Sequence, residues 1–502
     1  MLTVKDLVIT ENKSNRVLVN NLSFTLNKND KIAIIGSEGV GKSTLLKVIN
    51  EKQQLDYANY QGDIVIDGVI SYLPQTIKEH QEDLLIDFLI DGNENNYIYL
   101  EKAYKILGDF NIDLKEADGR KIKTFSGGEK MKISLAKAIM RDPDILLLDE
   151  PTNDLDLETI IFLEKFIKNS DLGILYISHD TRLLENTATA IIHLSLVKKR
   201  MEAKSFFLKM TYNEYYDHYL KQYENNTRIA HKQREEHKKK VERFQKIYQS
   251  VEHQQNQAVR NPFLAASLKT KIRSLKAQEK RFEKDKSNFL EIPEKEESMS
   301  IFFQNKTHNK SKTLIDYQID YLKIKDKTLI KDFRLIIKGN DKIAITGKNG
   351  TGKTTLIKDI KKKLQENNIK VGYLSQDYQE ILDYEKRVID FLLICQNQYL
   401  ESEIRMILGN MGFSTLEMET QIRGISEGQK LKVALFVLIS IDSEILILDE
   451  PTRNISPINA KEIFSLFDNY QGAILGITHD RAFIDAVFNK IIKIENKMMV
   501  IM

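Results

Sequence analysis

The 502-residue chain is 29% charged and 42% hydrophobic, ordinary for a water-soluble protein and too long for one core of about 100–200 residues, so at least two domains are expected. Its one cysteine, Cys395, and the lack of any apolar run near the roughly 18 residues of a membrane span exclude an intrachain disulfide, a cysteine-cluster zinc site and a membrane domain. The net charge of +3 hides an asymmetry: Thr211 to Leu290 carries 18 Lys and Arg against 10 Asp and Glu, and the remainder carries 57 against 62.

Along the chain, an apolar strand, Lys31 to Ile35, runs into Gly-Ser-Glu-Gly-Val-Gly-Lys-Ser (Gly36 to Ser43) and then into a helix, Ser43 to Ile49. A glycine-rich loop in that setting points backbone N–H groups at phosphates, and the helix N-terminus adds its dipole. Gly36, Gly39, Gly41, Lys42, Ser43 and Thr44 are therefore candidate nucleotide contacts, with Lys42 reaching the β- and γ-phosphates and Ser43 ligating Mg2+. Ser-Gly-Gly-Glu (Ser126 to Glu129) opens a helix 24 residues before Glu150. The apolar strand from Ile145 ends in Asp149, placed to hold the metal through water, and Glu150, placed to polarise the attacking water as general base. A further strand leads to Ile-Ser-His-Asp (Ile177 to Asp180).

No glycine occurs between Gly173 and Gly339 although the chain has 22, and long Lys/Glu/Gln-rich sequence of that kind favours helix. From Asn213, apolar residues at Tyr216, Tyr219, Tyr223, Ala230, Val241, Phe244, Tyr248 and Val251 fall mostly three or four apart; a second stripe runs Leu268, Ile272, Leu275, Phe282 and Phe289. Both read as the seam of paired helices. Glu252 to Asn261 loses the stripe and meets Pro262, a helix-starting residue, and the second helix stops near Pro293. The expectation is a helical hairpin. Its first arm, Asn213 to Ser250, would be about 57 Å long, and its tip, 251–262, would include Val251, His253, Gln254, Gln255, Asn256 and Gln257.

The first set of motifs then returns. Gly-Lys-Asn-Gly-Thr-Gly-Lys-Thr (Gly347 to Thr354) follows the strand Lys342 to Ile345, Ile-Leu-Ile-Leu-Asp-Glu-Pro-Thr (Ile445 to Thr452) repeats Ile145 to Thr152, and Ile-Thr-His-Asp (Ile477 to Asp480) repeats Ile177 to Asp180. The last two pairs are offset by 300 residues, Lys42 and Lys353 by 311. One domain thus occurs twice, and the second copy is shorter just after its phosphate loop. Gly347, Gly350, Gly352, Lys353, Thr354, Thr355, Asp449 and Glu450 take the same candidate roles. The matched place of His179 and His479 after a strand makes them site candidates rather than incidental surface histidines.

Together with Gln75, Asp154 and His179, the Ser-Gly-Gly-Glu segment resembles the ATP-binding cassette (ABC) family, over roughly residues 1–200 and 312–502. The resemblance implies an α/β fold of two tandem P-loop ATPase domains, 1–205 and 299–502, joined by a helical hairpin, 206–298, with no transmembrane domain. It implies an ATP hydrolase using ATP and Mg2+, its cassettes paired head to tail so that each ATP lies between one phosphate loop and the other's signature. One site would join Lys42, Ser43, Gln75, Asp149, Glu150 and His179 to Ser426 and Gly428. The other would join Lys353, Thr354, Gln376, Asp449, Glu450 and His479 to Ser126, Gly127 and Gly128. In these sets Gln75 and Gln376 serve both the metal and the catalysis. Helix N-termini at both signatures would give the γ-phosphate further N–H donors. Departures from the family pattern imply unequal sites: Glu427 stands where the first signature has Gly127, and Arg453-Asn-Ile-Ser-Pro457 replaces the usual Asn153-Asp-Leu-Asp156. No aromatic stands near Ile9 or Ile324 to stack on adenine, which leaves ATP and GTP both open.

Paired cassettes, no membrane domain and a linker that starts Thr-Tyr-Asn-Glu-Tyr-Tyr at Thr211 and returns through Lys-Thr-Lys-Ile-Arg-Ser-Leu-Lys at Lys269 resemble the ABC-F proteins. These are translation ATPases that bind the ribosomal exit-site region and push the linker toward the P-site tRNA and peptidyl-transferase centre. The resemblance implies a monomer without membrane subunits, cytoplasmic and ribosome-associated, whose partner is the 70S ribosome with its 23S rRNA and P-site tRNA. Lys238, Lys239, Lys240, Arg243, Lys269, Lys271, Arg273 and Lys276 would supply phosphate contacts. The offset of 51 from Gln75 to Ser126 leaves room for at most a short arm. With the Ser-Glu-Gly-Gln signature and the Arg-Asn-Ile-Ser-Pro segment, that is similar to the antibiotic-resistance (ribosome-protection) branch of Vga, Lsa and Sal type, which expels lincosamides, streptogramin A and pleuromutilins. Two alternatives stay open: a housekeeping translation factor of the same architecture, and the ATPase component of a transporter with separate membrane subunits, for which the basic hairpin has no evident use.

Overall fold

The computed structural model describes the chain from 1 to 501 except residues 52–54, 76–79, 92–97, 114–116, 118, 154, 198–201, 258–266, 278–310, 325–326, 397–398, 442 and 454. Asp154, Asn454, Asn261, Pro262, Phe282, Phe289, Pro293 and the 298/299 boundary lie outside the described residues. Residues 1–213 and 296–502 form one compact unit and 214–295 a second.

In the first unit the chain begins with β1 (Leu2–Glu11), β2 (Val17–Leu26), β3 (Lys31–Ile35), α1 (Lys42–Glu51), β4 (Ala58–Ile66) and β5 (Ile70–Leu73). It continues through α2 (Leu85–Ile90), α3 (Leu100–Asp109), α4 (Gly127–Ile139), β6 (Ile145–Asp149), α5 (Leu157–Asn169), β7 (Gly173–Ile177), α6 (Thr181–Thr187), β8 (Ala190–Val197) and β9 (Glu202–Leu208). The main sheet has the order β5-β6-β7-β3-β8-β9, parallel except for β9, and an antiparallel sheet has the order β2-β1-β4. Strands β3, β6 and β7 are buried at every position, as continuous apolar runs are when both sheet faces are covered. Parallel pairing brings the C-terminal ends of β3 and β6 to one edge, so the phosphate loop and the Asp-Glu pair meet there. Because β9 pairs with β8 as far as Leu208, this sheet continues past residue 205, where the sequence divides cassette from linker.

After the linker the same order returns. It comprises β10 (Thr313–Ile324), β11 (Lys327–Lys338), β12 (Lys342–Gly347), α9 (Lys353–Glu366), β13 (Val371–Leu374), α10 (Val388–Cys395), α11 (Glu401–Asn410), α12 (Thr415–Glu419) and α13 (Glu427–Ser440). Then follow β14 (Ile445–Asp449), α14 (Pro457–Asp468), β15 (Ala473–Ile477), α15 (Arg481–Val487), β16 (Lys490–Glu495) and β17 (Met498–Ile501). The sheet β13-β14-β15-β12-β16-β17 matches the first in order and direction, whereas β10 and β11 pair alone. Helix α9 passes straight to β13, so the shorter spacing after the second phosphate loop is the missing counterpart of β4. Cys395 closes α10 and is exposed, and local desolvation raises its thiol pKa, which disfavours the thiolate.

The second unit is built on α7 (Tyr212–Gln257) and α8 (residues 267–277). With 46 residues, α7 is about 69 Å long. Phe244 and Val251 of α7 pack with Leu268 and Leu275 of α8, flanked by Tyr248 and Ile272, so the two stripes meet over this stretch. One expectation is corrected: the first arm does not stop at Ser250. Val251 is 4% exposed within the seam, which carries the apolar spacing from Phe244 as far as that residue, and the helix continues through Gln257 because no Gly or Pro intervenes before Pro262. Val251 is a packing residue, while His253 and Gln254 are exposed positions on the helix. Lys238, Lys239, Lys240, Arg243, Lys269, Lys271, Arg273 and Lys276 are all exposed. Among the described residues, no helix is long and apolar enough to cross a membrane.

Candidate active site

Each phosphate loop leaves its strand through a glycine. A Cβ on Gly36, at φ +146°, would come within 2.1 Å of the Leu194 carbonyl oxygen, and one on Gly347, at φ +142°, within 2.6 Å of that of Ile494; only glycine permits this path. The buried lysines fold back over the loops. Lys42 Nζ donates to the carbonyls of Gly36 and Ser37 at 2.9 and 3.0 Å, and Lys353 Nζ to those of Gly347 and Lys348 at 2.6 and 3.0 Å. Ser43 Oγ donates to Asp149 Oδ1 at 2.9 Å, and Thr354 bonds Asp449 in the same way. Burial raises both aspartate pKa values, against the pull of these hydroxyls. Thr44 is half-buried beside Ser43. The sequence reading missed Tyr72, whose hydroxyl donates to Asp149 Oδ2 at 3.0 Å. Its signal was its place three residues before Gln75, repeated by Tyr373 before Gln376.

Glu150 and Glu450 follow their strands with φ of +48° and +51°, a left-handed conformation that costs a non-glycine residue energy and recurs here in both copies. Their surroundings differ. Glu150 Oε2 accepts from Gln75 Nε2 at 2.9 Å and from Asn153 Nδ2 at 2.6 Å, and His179 Nε2 stands 3.4 Å from Oε1. Burial alone would raise its pKa; bonding and charge from His179, the charge of Lys42 and the Asn153 amide instead hold it down to about 2. Burial and the neighbouring Asp449 push Glu450 up to about 8, although it accepts the His479 backbone N–H. His479 Nε2 is 3.8 Å from Glu450 Oε1, neither ring nitrogen has a hydrogen-bond partner among the described residues, and burial lowers its pKa to about 4.

A cavity of about 510 Å³ lies over the second phosphate loop, lined by Gly350, Gly352, Lys353, Thr354, Thr355, Gln376, Asp449, Glu450 and His479. Ile324 and Leu329, both aliphatic, form part of its wall. The first cassette contributes Thr152, Asn153, Leu155 and His179. Ser126, Gly127 and Gly128 are not among the lining residues, so the segment after Glu150, rather than the first signature, closes this cavity. At the other loop the signature does arrive: Glu427 N–H donates to Glu38 Oε2 at 3.1 Å. Ser126 and Ser426 each cap their helix in a reciprocal box, with Glu129 and Gln429, and Gly428 is buried in the first turn of α13.

Further contacts join the cassettes. His179 Nδ1 is 2.9 Å from the Ile455 carbonyl oxygen, Arg481 bonds Glu164, Arg182 Nη2 donates to Asp485 at 2.5 Å, and Lys493 lies 3.2 Å from Glu158.

The chain matches the family model described as ABC transporter over residues 19–153 and 330–453. It is 31% identical to the ATP-binding protein Uup of Buchnera aphidicola subsp. Schizaphis graminum, over 94% of this chain and 77% of that one. It is 27% identical to the ribosome protection protein VmlR of Bacillus subtilis, over 98% of this chain and 87% of that one. Among solved structures, the complex of archaeal ribosomal stalk protein aP1 with the archaeal ribosome recycling factor aABCE1 is similar, with a TM-score of 0.61 and 19% identity over 98% of this chain and 89% of that one. That last likeness is one of fold.

Proposed function

This chain belongs to the ABC-F family of ATP-binding cassette ATPases, and we propose that it binds the 70S ribosome in its ATP-bound state and protects it from lincosamides, streptogramin A and pleuromutilins. The observation that carries the reading is the pairing of two cassettes on one chain with a separate helical unit whose Lys238, Lys239, Lys240 and Arg243 are exposed. Such a basic helix pair suits the phosphates of rRNA and P-site tRNA. Similarity to VmlR, itself named a ribosome protection protein, over 98% of this chain supports the resistance branch.

The chemistry follows from the site. Lys42 and Lys353 would exchange loop carbonyls for the β- and γ-phosphate oxygens of ATP. Ser43 and Thr354 offer hydroxyls already bonded to buried carboxylates, a donor set of hard oxygens that fits Mg2+. These residues would hold the ion with Asp149, Asp449 and the amides of Gln75 and Gln376, and it would neutralise phosphate charge. Glu150, kept charged by its partners, takes the proton of the attacking water; Glu450, which burial and Asp449 push toward its neutral form, would take it only when ionised. His179 and His479 stand beside these carboxylates to meet the γ-phosphate.

Replacing Glu150 and Glu450 together with Gln should preserve ATP binding and abolish hydrolysis. The double variant with ATP should then co-sediment with 70S ribosomes in a sucrose gradient. If it stays at the top like the wild type, the carboxylate assignment is wrong. A housekeeping translation factor is the second reading, kept open because identity is higher to Uup, a relative named only for ATP binding, than to VmlR; unchanged drug susceptibility with altered growth would select it.

A further inference from the structure

We propose that Tyr212, the first residue of the linker helix α7, is a positioning residue for hydrolysis at the Lys42 site and leaves the Lys353 site untouched. Its ring is fully buried, and its hydroxyl donates to the carbonyl of Pro457 at 3.0 Å, across 245 residues of sequence. Pro457 opens α14 and ends the turn that follows Glu450. Ile455, in that same turn, is 3% exposed, and its carbonyl oxygen lies 2.9 Å from His179 Nδ1. A carbonyl can only accept, so this contact requires the proton on Nδ1 and orients the imidazole. Nε2 is thereby turned toward Glu150, 3.4 Å away. Proline fixes φ at Pro457, one of the torsions that separate the two carbonyls. The path thus runs from the first turn of the linker to the general base of one site.

Among the described residues the other site lacks this path. There His479 has no hydrogen-bond partner on either ring nitrogen, and Thr152, Asn153 and Leu155 of the turn after Glu150 line the open cavity instead. A linker that is displaced at its root would therefore be felt by Glu150 and not by Glu450.

This inference rests on the two glutamates being the bases, so the test is run in single-site backgrounds. Tyr212→Phe removes the hydroxyl and keeps the ring. In the full chain carrying Glu450→Gln, where only the Lys42 site turns over, it should lower kcat for MgATP about fivefold, the worth of one hydrogen bond, with KM nearly unchanged. In the chain carrying Glu150→Gln it should change neither constant. Equal losses in the two backgrounds, or no loss in the first, would overturn the proposal. Full hydrolysis by the Glu150→Gln, Glu450→Gln double variant without Tyr212→Phe would instead remove the base assignment, and the inference with it.

Discussion

The backbone N–H of Glu427 donates to the carboxylate of Glu38 at 3.1 Å, joining residues 389 apart in sequence. The first turn of the second signature helix thereby meets the phosphate loop of the first cassette through an anion. In the proposed ATP-bound state the γ-phosphate takes that donor, so phosphate and carboxylate compete for it. Because Glu38 is exposed, the competition is modest. Glu38→Ala should tighten ATP about threefold, read by titrating a fluorescent ATP analogue into the Glu150→Gln, Glu450→Gln chain. Weaker binding would mean that Glu38 assists the nucleotide.

Glu150 and Glu450 occupy equivalent places in unlike surroundings. The first is charged and held by Gln75 and Asn153; the second is pushed toward its neutral form by burial and Asp449. The Lys42 site should therefore carry most of the steady-state turnover. Glu150→Gln should cost more than about tenfold, and Glu450→Gln clearly less, in phosphate-release assays. Equal losses would contradict the asymmetry.

Much of this site is visible in the sequence because backbone chemistry demands it. Glycines at Gly36 and Gly347, apolar runs ending in Asp149 and Asp449, and lysines at the start of a helix are local requirements, and they recur twice. The unequal partners of the two glutamates are only partly local. Asn153 reaches Glu150 from three residues along the same turn, and Arg453 replaces it in the second copy, but Tyr72 and Gln75 reach Asp149 and Glu150 only once parallel strands have been placed side by side. The Ile455 carbonyl, as a backbone group, carries no residue-type signal at all. The end of α7 is hidden in the sequence for a different reason: Glu, His, Gln and Asn after Val251 read as a loss of the stripe, yet such residues tolerate helix where a seam already holds it.

Contacts between the cassettes should differ in worth by their exposure. Arg481 and Glu164 are 20% and 16% exposed, whereas Lys493 and Glu158 are 28% and 53% exposed. A double-mutant cycle on Arg481→Ala and Glu164→Ala should give a coupling of roughly 1–3 kcal/mol in urea unfolding. The same cycle on Lys493 and Glu158 should give about 0.5 kcal/mol or less. A reversed order would show that the first pair is solvated in solution.

Neutralising Lys238, Lys239, Lys240 and Arg243 to Gln should weaken ribosome binding and flatten its dependence on salt. Each lost phosphate contact should remove about 0.7–0.9 from the log–log slope. ATPase activity without ribosomes should barely change. An unaltered slope would mean that this face of α7 looks into solvent on the ribosome.

Protection itself is decided by drug susceptibility. A susceptible bacterium expressing the chain should tolerate higher concentrations of lincosamide, streptogramin A and pleuromutilin than the same strain with an empty vector. Deleting Gln254 to Gln257 removes close to one helical turn, leaving the phase of α7 shifted by only about 40°. That variant should lose resistance while it keeps ATPase activity and ribosome binding. An unchanged inhibitory concentration for all three drugs in cells that make ribosome-bound, full-length protein would contradict ribosome protection.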